Sequence, residues 1–392
     1  MAAPRATARL SSAPMTESTP SFFRPCWVEI HTESLRHNLR LLKQRLAPST
    51  RLCAVVKADG YGHGLLPVSR LAVAEGAVLL GVSSLEEGVS LREGGVRAPV
   101  LILGSLFPFD SFSLLFDHQL TPTVASLEAA DALNSLAQKR GKRLPVHLKI
   151  DSGFGRIGVS LPHALDFMEQ VAQRRALEIE GVYTHFASSD VEPDYTHHQT
   201  QTFQVVVEAA RAKGICPPLV HLANSSALLQ FPETHGTMVR PGLAFYGLAP
   251  YAGAERDIAL RPALAWKTRI VFLKTVPKGA TISYARTWTA QRTTRIATLA
   301  VGYADGLPRL LSNQGQVLVG GARVPILGRV TMDMTMVDVT DLPHCHVGDE
   351  VVLIGAQGQE RLGAEDIAHW AKTNAYEILC GIAARVPRVY LS

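Results

Sequence analysis

A regular alternation of short apolar runs and segments with helical periodicity is the feature that most constrains the fold. Eight apolar runs lie between residues 53 and 240, at 53–56, 77–82, 99–103, 120–124, 145–150, 178–184, 218–222 and 237–240. The segments between them carry apolar residues at helical spacing, for example Leu65, Val68, Leu71 and Ala72. Because short apolar runs alternating with helices are typical of parallel strands buried on both faces, eight such units predict a parallel (β/α)8 barrel.

An open doubly wound sheet is the alternative fold for this half of the chain. No GxGxxG motif opens the first helix, so the sequence lacks the usual dinucleotide site of such a sheet. The helix that follows Ser84 is predicted to begin with a capping box formed by Ser84 and Glu87.

The pattern changes after about Tyr251. Long runs rich in Val, Ile and Thr replace the helices, at Thr268–Val276, Arg295–Tyr303, Gly315–Asp338 and Glu350–Ile354. Since Gly and Pro separate these runs, we predict a barrel over residues 25–255 and a C-terminal, mostly antiparallel β domain over 256–392. One helix is predicted around Ala364–Thr373, and the early strand Trp27–Ile30 is a candidate to pair with the second domain.

Composition excludes several classes of protein. The net charge is +5, but Lys and Arg are scattered without basic runs, which argues against nucleic-acid binding. The five cysteines show no CxxC spacing, and His344-Cys345-His346 lacks further ligands nearby, so neither a disulfide framework nor a metal site is expected. No run reaches 18 apolar residues, so we expect no membrane span, and the unpaired cysteines favour a reducing, cytoplasmic location.

Residues 1–24 are rich in Ala, Ser, Thr and Pro and contain one acidic residue. This composition predicts a disordered extension. A transit-type segment, or a start site at Met15, is the alternative.

Polar residues follow the predicted strands at their carboxyl ends, where parallel barrels form active sites. The first run ends in Lys57, which is followed by a tyrosine and three glycines between residues 60 and 64. Burial of the stem lowers the pKa of a lysine toward the neutral amine that forms Schiff bases with aldehydes. A lysine that snorkels at a strand end is the structural alternative.

The ends of the seventh and eighth predicted strands resemble a phosphate site. Asn224 and Ser225 stand where a helix begins, with backbone N–H groups free to bind an anion, and Gly242 permits a close approach of the backbone. Simple N-capping by Asn224 or Ser225 is the alternative. Combined with Lys57, these residues indicate a phosphorylated aldehyde cofactor, and pyridoxal 5′-phosphate is that molecule.

A series of ordered motifs runs from about Pro25 to the C-terminus. They are VVKADGYGHG, HLKIDSGFGRIG, GVYTHFASSD, HLANSSA, VRPGLAFYGL, ISYARTW, VGYADGLPR and GRVTMDM. With these motifs in this order, the chain resembles the alanine racemases, which are pyridoxal phosphate-dependent enzymes that combine a barrel with a β domain. The resemblance implies two-base proton transfer that interconverts L-alanine and D-alanine, a supply of D-alanine for peptidoglycan, and a head-to-tail homodimer with shared active sites.

The resemblance also implies roles for individual residues. Lys57 would form the Schiff base with the cofactor and serve as one base, and Tyr284 of the other subunit would be the second. The implied contacts of the cofactor are Tyr61, Ser225, Gly242, Leu243 and Tyr376 at the phosphate, His185 against the ring and Arg240 at the pyridine nitrogen. Arg156 and the backbone N–H of Met332 would bind the substrate carboxylate, Lys149 matches a lysine that is carbamylated in some members, and Tyr303 and Tyr376 would narrow the access to the site.

Other functions stay open at this point. They are a racemase of broader specificity, a decarboxylase of basic amino acids, and a non-catalytic carrier of pyridoxal phosphate built on the barrel alone. The sequence departs from the family pattern at Asp59-Gly60, at Ala285 and at Met334, where Asn-Ala, Gly and Gln are common.

Overall fold

The computed structural model describes residues 23–392. Most of the predicted extension over residues 1–24 lies outside this range. Arg24 falls within it and donates hydrogen bonds to the carboxylate of Asp305 and the carbonyl of Asp333. Arg24, which the prediction places in the extension, is therefore bonded to the C-terminal half of the chain.

The first sheet is a nearly closed parallel barrel, as predicted. After β1 (Cys26–His31), which belongs to another sheet, its strands are β2 (Arg51–Val55), β3 (Leu79–Val82), β4 (Val100–Ile102), β5 (Thr121–Val124), β6 (Leu144–Asp151), β7 (Val159–Ser160), β8 (Leu177–Tyr183), β9 (Leu219–His221) and β10 (Met238–Val239). Their order is β10-β2-β3-β4-β5-β6-β8-β9, every pair is parallel, and the short β7 pairs with β6. Between β9 and β10 the Thr237 N–H donates to the Val220 carbonyl (2.9 Å), which brings the two ends of the sheet together.

Helices surround the barrel and cover the outward side chains of its strands. They are Thr32–Lys43, Leu65–Ala74, Leu85–Glu93, Ser113–Asp117, Leu127–Arg140, Leu161–Ala172, Pro193–Ala212, Ser225–Gln230 and Ala254–Asp257, with 3₁₀ turns at Phe109–Phe112, Pro232–Thr234 and Leu243–Tyr246. Strand residues such as Ala54, Leu80, Ile102, Leu148 and Val182 are fully buried. Their burial on both faces explains why these strands are short unbroken apolar runs.

The capping box predicted at Ser84 forms in only one of its two halves. Ser84 Oγ accepts from the Glu87 N–H (3.4 Å), as expected for an N-cap. The Glu87 carboxylate does not return to the Ser84 amide, because it accepts from the N–H groups of Ser83 (2.7 Å) and Ala58 (2.6 Å). Since β2 and β3 are neighbours in the barrel, the loops that follow them lie side by side and compete for this carboxylate.

The second sheet is mostly antiparallel, as predicted. Its strands and the hairpin beside it are β11 (Leu264–Val276), β12 (Thr281–Ile282), β13 (Trp288–Thr289), β14 (Thr294–Leu299), β15 (Gln316–Val319), β16 (Ala322–Pro325), β17 (Thr335–Asp338), β18 (Glu350–Gln357), β19 (Glu360–Leu362) and β20 (Arg388–Leu391). The helices of this half are Ala364–Ala371 and Ala375–Cys380, with 3₁₀ turns at Tyr284–Arg286, Tyr303–Asp305 and Arg309–Leu311. The apolar run predicted over Gly315–Asp338 is divided into three strands. Gly320 and Gly321 adopt positive φ and turn the chain between the first two, and residues 326–334 separate the third.

The strand β1 connects the two halves of the molecule. It pairs antiparallel with β11 and parallel with β20, as the sequence suggested for Trp27–Ile30. Residues 26–31 therefore belong to the second sheet although they precede the barrel, and the boundary between residues 255 and 256 stays a prediction. No helix within residues 23–392 is long and apolar enough to cross a membrane.

Candidate active site

Lys57 lies just beyond β2 and begins an unusual turn. The next four residues all have positive φ, namely Ala58 (53°), Asp59 (53°), Gly60 (61°) and Tyr61 (52°). Left-handed backbone costs about 1–2 kcal/mol for each residue other than glycine, so this conformation needs support from its surroundings. We call residues 57–64 the Lys57 turn.

The C-terminal domain holds the Lys57 turn in place. The Arg388 guanidinium donates to the Gly62 carbonyl (3.1 Å), and the Tyr390 hydroxyl donates to the His63 carbonyl (3.1 Å). A Cβ atom on Gly62 would lie 2.3 Å from the Leu379 carbonyl oxygen, so only glycine permits this approach. The C-terminal strand and the helix Ala375–Cys380 are therefore packed directly against the turn.

The surroundings of Lys57 favour the neutral amine. Burial lowers the pKa of Lys57, and the positive charge of Arg156 lowers it further. No ion pair within 4 Å involves this side chain among residues 23–392. A snorkelling lysine would keep its ordinary pKa in water, so these features fit a reactive amine better.

The backbone near the ends of β9 and β10 forms a cradle close to the Lys57 turn. Ser225 Oγ accepts from the N–H groups of Gly242 (2.9 Å) and Ala244 (3.2 Å). A Cβ on Gly242 would lie 2.6 Å from the Tyr61 hydroxyl, so a side chain there would fill the cradle. Leu243 opens the 3₁₀ turn Leu243–Tyr246 on the same side. A hydroxyl, a phenol and backbone amides near the start of a helical turn are groups that bind a phosphate.

Aromatic rings fix the position of Tyr61. Its ring stacks on Tyr246 (4.8 Å between centroids) and lies 5.7 Å from Tyr376. Tyr246 is fully buried and donates its hydroxyl to the Val55 carbonyl (3.0 Å), which ties the ring pair to β2. Tyr376 thus reaches the barrel from the C-terminal domain of the same chain.

Asn224 serves a different purpose from its neighbour. Its side-chain oxygen accepts from the Ala227 N–H (3.0 Å) and from Ser189 Oγ (3.1 Å), so it caps the helix Ser225–Gln230. The structure brings this side chain to the helix and not to the cradle, and its assignment to the cofactor stays a prediction.

Arg240 is buried on the floor of the site. Its guanidinium donates to His221 Nδ1 (2.8 Å) and to the carbonyls of His221 (2.9 Å), Thr184 (2.8 Å) and Leu222 (3.1 Å). Burial lowers the pKa of Arg240 to about 10, so the group remains charged at neutral pH. His185 Nδ1 lies 3.3 Å from the same guanidinium, and burial with the charge of Arg240 holds the pKa of His185 well below its usual range.

A chain of hydrogen bonds continues behind Arg240, and sequence reasoning missed it. His221 Nε2 lies 2.8 Å from His147 Nδ1, and His147 Nε2 lies 3.3 Å from the Glu180 carboxylate. Because a guanidinium only donates, His221 Nδ1 must be an acceptor, and the proton of this imidazole lies on Nε2. Each histidine therefore donates one hydrogen bond to the next group in the chain, and the Glu180 carboxylate is the final acceptor. Burial lowers the pKa of both histidines, which keeps them neutral. His147 lies inside an apolar strand run, and a histidine at such a position is the signal in the sequence that this barrel interior is polar.

Lys149 occupies the barrel interior beside these groups. Its amine lies 4.7 Å from the centre of the Tyr183 ring, is buried, and has no hydrogen-bond partner. Burial and the charge of Arg240 hold the pKa of Lys149 well below its usual range. Arg156 follows on the same strand's loop, where its guanidinium stacks over Phe154 at 4.3 Å. The loop is fixed by the Asp151 carboxylate, which accepts from three successive backbone N–H groups.

Three predicted site residues are not brought to Lys57 within one chain. Tyr284, Tyr303 and Met332 are 69%, 43% and 53% exposed, and within residues 23–392 no hydrogen bond or ring contact joins them to the barrel. Tyr284 stands at the end of the β12–β13 hairpin, between Ser283 (φ 66°) and Ala285 (φ 58°). A tyrosine presented in this way is available to a second molecule.

The comparisons with known proteins cover almost the whole described chain. Residues 30–250 match the family model "Alanine racemase, N-terminal domain", and residues 263–390 match "Alanine racemase, C-terminal domain". The chain is 48% identical over 368 residues to the alanine racemase of Halothermothrix orenii, covering 94% of this chain and 97% of that protein. It is 46% identical over 369 residues to that of Symbiobacterium thermophilum, with coverage of 94% and 97%.

Solved structures give the same result. The alanine racemase of Clostridium difficile 630 superposes with a TM-score of 0.90 at 36% identity, covering 95% of this chain and 97% of that one. The alanine racemase of Bacillus anthracis, solved with bound L-Ala-P, superposes with a TM-score of 0.89 at 37% identity, with coverage of 95% and 96%.

Proposed function

The chain belongs to the alanine racemase family, and we propose that it binds pyridoxal 5′-phosphate in the barrel and moves the α-proton of alanine between Lys57 and Tyr284. The observation that carries the proposal is the position of a lysine of lowered pKa beside the Ser225–Gly242 cradle. The product D-alanine would serve peptidoglycan synthesis. The five cysteines are free, which is consistent with a cytoplasmic enzyme.

The residues present fit the cofactor. Ser225, Tyr61 and the backbone of Gly242 and Leu243 would hold the phosphate, and Lys57 would hold the aldehyde carbon. Arg240 would meet the pyridine nitrogen. When bound, pyridoxal phosphate supplies an electron sink that makes the α-proton of an amino acid acidic.

Arg240 limits how strong this sink becomes. A guanidinium that stays charged at neutral pH donates hydrogen bonds but does not give up its proton to a pyridine nitrogen. The chain of neutral histidines behind it, ending at Glu180, holds the guanidinium in one orientation. Reactions that need a protonated ring are thereby disfavoured relative to simple proton transfer.

Racemisation needs one group to remove the proton from one face and another to deliver it to the opposite face. The Lys57 amine, whose pKa is lowered by burial, suits the first role. The Tyr284 hydroxyl suits the second, and its exposure supports its presentation by a partner subunit. Arg156 and the backbone N–H of the partner's Met332 would hold the substrate carboxylate. The partner's Tyr303, together with Tyr376, would limit the size of the substrate side chain. A carbamate on Lys149 would pair with Arg156.

Mixing two inactive variants tests the shared site. Lys57→Ala should lose the visible absorption of the bound cofactor, whereas Tyr284→Phe should keep it and lose racemisation. If each site combines Lys57 of one subunit with Tyr284 of the other, random reassociation of the two variants restores one intact site in half of the dimers, about one quarter of wild-type activity.

Recovery of no activity on mixing would contradict the shared site, because residues of the same subunit would then form each pair. Tyr251→Phe is the matched control, since Tyr251 bonds to Asp257 on the barrel side and should retain full activity. A purified wild-type protein that binds no pyridoxal phosphate would overturn the proposal as a whole.

A further inference from the structure

Glu87 stands out because its carboxylate lies in the barrel mouth but touches no predicted site residue. It is half-buried, and its two oxygens accept three hydrogen bonds. These come from the Ala58 N–H (2.6 Å), the Ser83 N–H (2.7 Å) and the Ser83 hydroxyl (3.0 Å). A charged acceptor bonded to a backbone N–H is a strong hydrogen bond.

The Ala58 amide is the peptide group directly after Lys57. Ala58 is also the first residue of the left-handed run, and it is an alanine with φ 53°. Within the turn, the Gly60 N–H bonds to the Val56 carbonyl (2.8 Å) and the Gly62 N–H bonds to the Ala58 carbonyl (3.0 Å). Glu87 therefore secures the start of the turn from the neighbouring strand's loop, while Arg388 secures its end.

We propose that Glu87 is a positioning residue that fixes the direction of the Lys57 side chain by anchoring the Ala58 amide. The direction in which Lys57 leaves the backbone depends on the peptide group that follows it, and that peptide group is bonded to Glu87. Within residues 23–392 no ion pair within 4 Å joins the Glu87 carboxylate to the Lys57 amine. Its charge reaches that amine only through space, whereas its direct hydrogen bond is to the backbone N–H of Ala58. The proposal deepens the proposed function, on which its kinetic consequence rests.

Amide hydrogen exchange of the full-length, cofactor-free protein tests the anchor directly. In Glu87→Ala the Ala58 amide should exchange at least about tenfold faster, because its hydrogen bond is lost and the left-handed run opens more often. Glu87→Gln should lie between wild type and Glu87→Ala. Ala58 and Ser83 donate to different oxygens of Glu87, and an amide keeps only one of these two positions as an acceptor. Glu86→Ala is the matched control, because Glu86 is the adjacent carboxylate on the same helix and makes no bond to the Lys57 turn.

The second readout follows Lys57 itself. Pyridoxal phosphate is added, the linkage is reduced with borohydride, and the modified fraction of Lys57 is measured by mass spectrometry. Glu87→Ala should need at least about tenfold more cofactor for half-modification, and kcat should fall while KM for alanine changes little, because the carboxylate-binding groups are untouched.

Three results distinguish the possibilities. Exchange and modification equal to those of Glu86→Ala would overturn the proposal, even if activity fell. Faster exchange in Glu87→Ala, with wild type unmodified at Lys57, would support the anchor and refute the proposed function. If Glu87→Ala does not fold, Glu87→Gln decides the matter by the same exchange measurement.

Discussion

Replacing Lys149 by methionine should make the protein more stable and less active. The Lys149 amine is buried without a hydrogen-bond partner, and such a group costs about 1–3 kcal/mol. Methionine has a similar length and no polar hydrogen, so it removes this cost without leaving a cavity. We therefore expect Lys149→Met to raise the free energy of unfolding by about 1–3 kcal/mol. This gain should remain even at a pH close to the pKa of a lysine in the unfolded chain, where the charge of the amine contributes little.

The gain should grow as the pH falls. Because burial and Arg240 depress the pKa of Lys149 in the folded state, the unfolded chain binds one more proton than the folded chain between that pKa and about 10.4. In this window the stability of the wild type falls by about 1.4 kcal/mol for each unit of decreasing pH, through this one group. Lys149→Met lacks this titrating group. A plot of its free energy of unfolding against pH should therefore have a slope smaller than that of the wild type by this amount.

Denaturant unfolding between pH 7 and pH 10, at one protein concentration and in buffer freed of carbon dioxide, measures both quantities. Lys139→Met, at an exposed lysine on the helix Leu127–Arg140, is the control and should follow the wild-type curve. Equal slopes for wild type and Lys149→Met would refute the reasoning, because the amine would then be protonated or bonded in the folded protein. Added bicarbonate should flatten the wild-type slope if Lys149 forms a carbamate, since a carbamate no longer titrates as an amine.

Two further substitutions test the backbone and the second domain. Ala285→Gly should raise the free energy of unfolding by about 0.5–1 kcal/mol, because relief of the left-handed φ of 58° outweighs the greater freedom of glycine in the unfolded chain; a loss of stability in thermal unfolding would contradict this. Asp305→Asn should cost about 1.5–3 kcal/mol at pH 7, because it weakens the bonds from Arg24 and Arg385 to a carboxylate with no exposed surface. Burial alone would raise the pKa of Asp305, but these bonds hold it below its usual value. The wild type should therefore lose its stability advantage over Asp305→Asn as the pH falls from about 3.9 through the pKa of the folded state, and the two curves of stability against pH should meet in acid.

The architecture could be predicted because burial leaves its mark on every element of a barrel. Parallel strands covered on both faces must be apolar throughout, and their carboxyl ends must meet on one side. These two rules were enough to group Lys57 with Ser225, Arg240 and Gly242, which lie 168 to 185 positions later in the chain. Tyr284 was different: a tyrosine in a β hairpin carries no local sign of catalysis, and only the family motif around it pointed to one.

The contacts that support the site could not be predicted, and the reason is physical. Ser84 and Glu87 have the spacing of a capping box, but spacing cannot reveal that a neighbouring loop supplies a competing N–H group to Glu87. The left-handed φ of Ala58 contradicts the preference of alanine and follows from tertiary contacts. Interactions that override local preference are visible only when the loops are placed in space.

The position of Arg388 and Tyr390 has a consequence for the order in which the molecule is made. They close the Lys57 turn by hydrogen bonds to Gly62 and His63, residues synthesised more than 320 positions earlier. Synthesis proceeds from the N-terminus, and domains generally fold as they emerge. The barrel can therefore assemble on the ribosome while the Lys57 turn still lacks its hydrogen bonds from Arg388 and Tyr390. The site is completed only when β20 has been released from the ribosome.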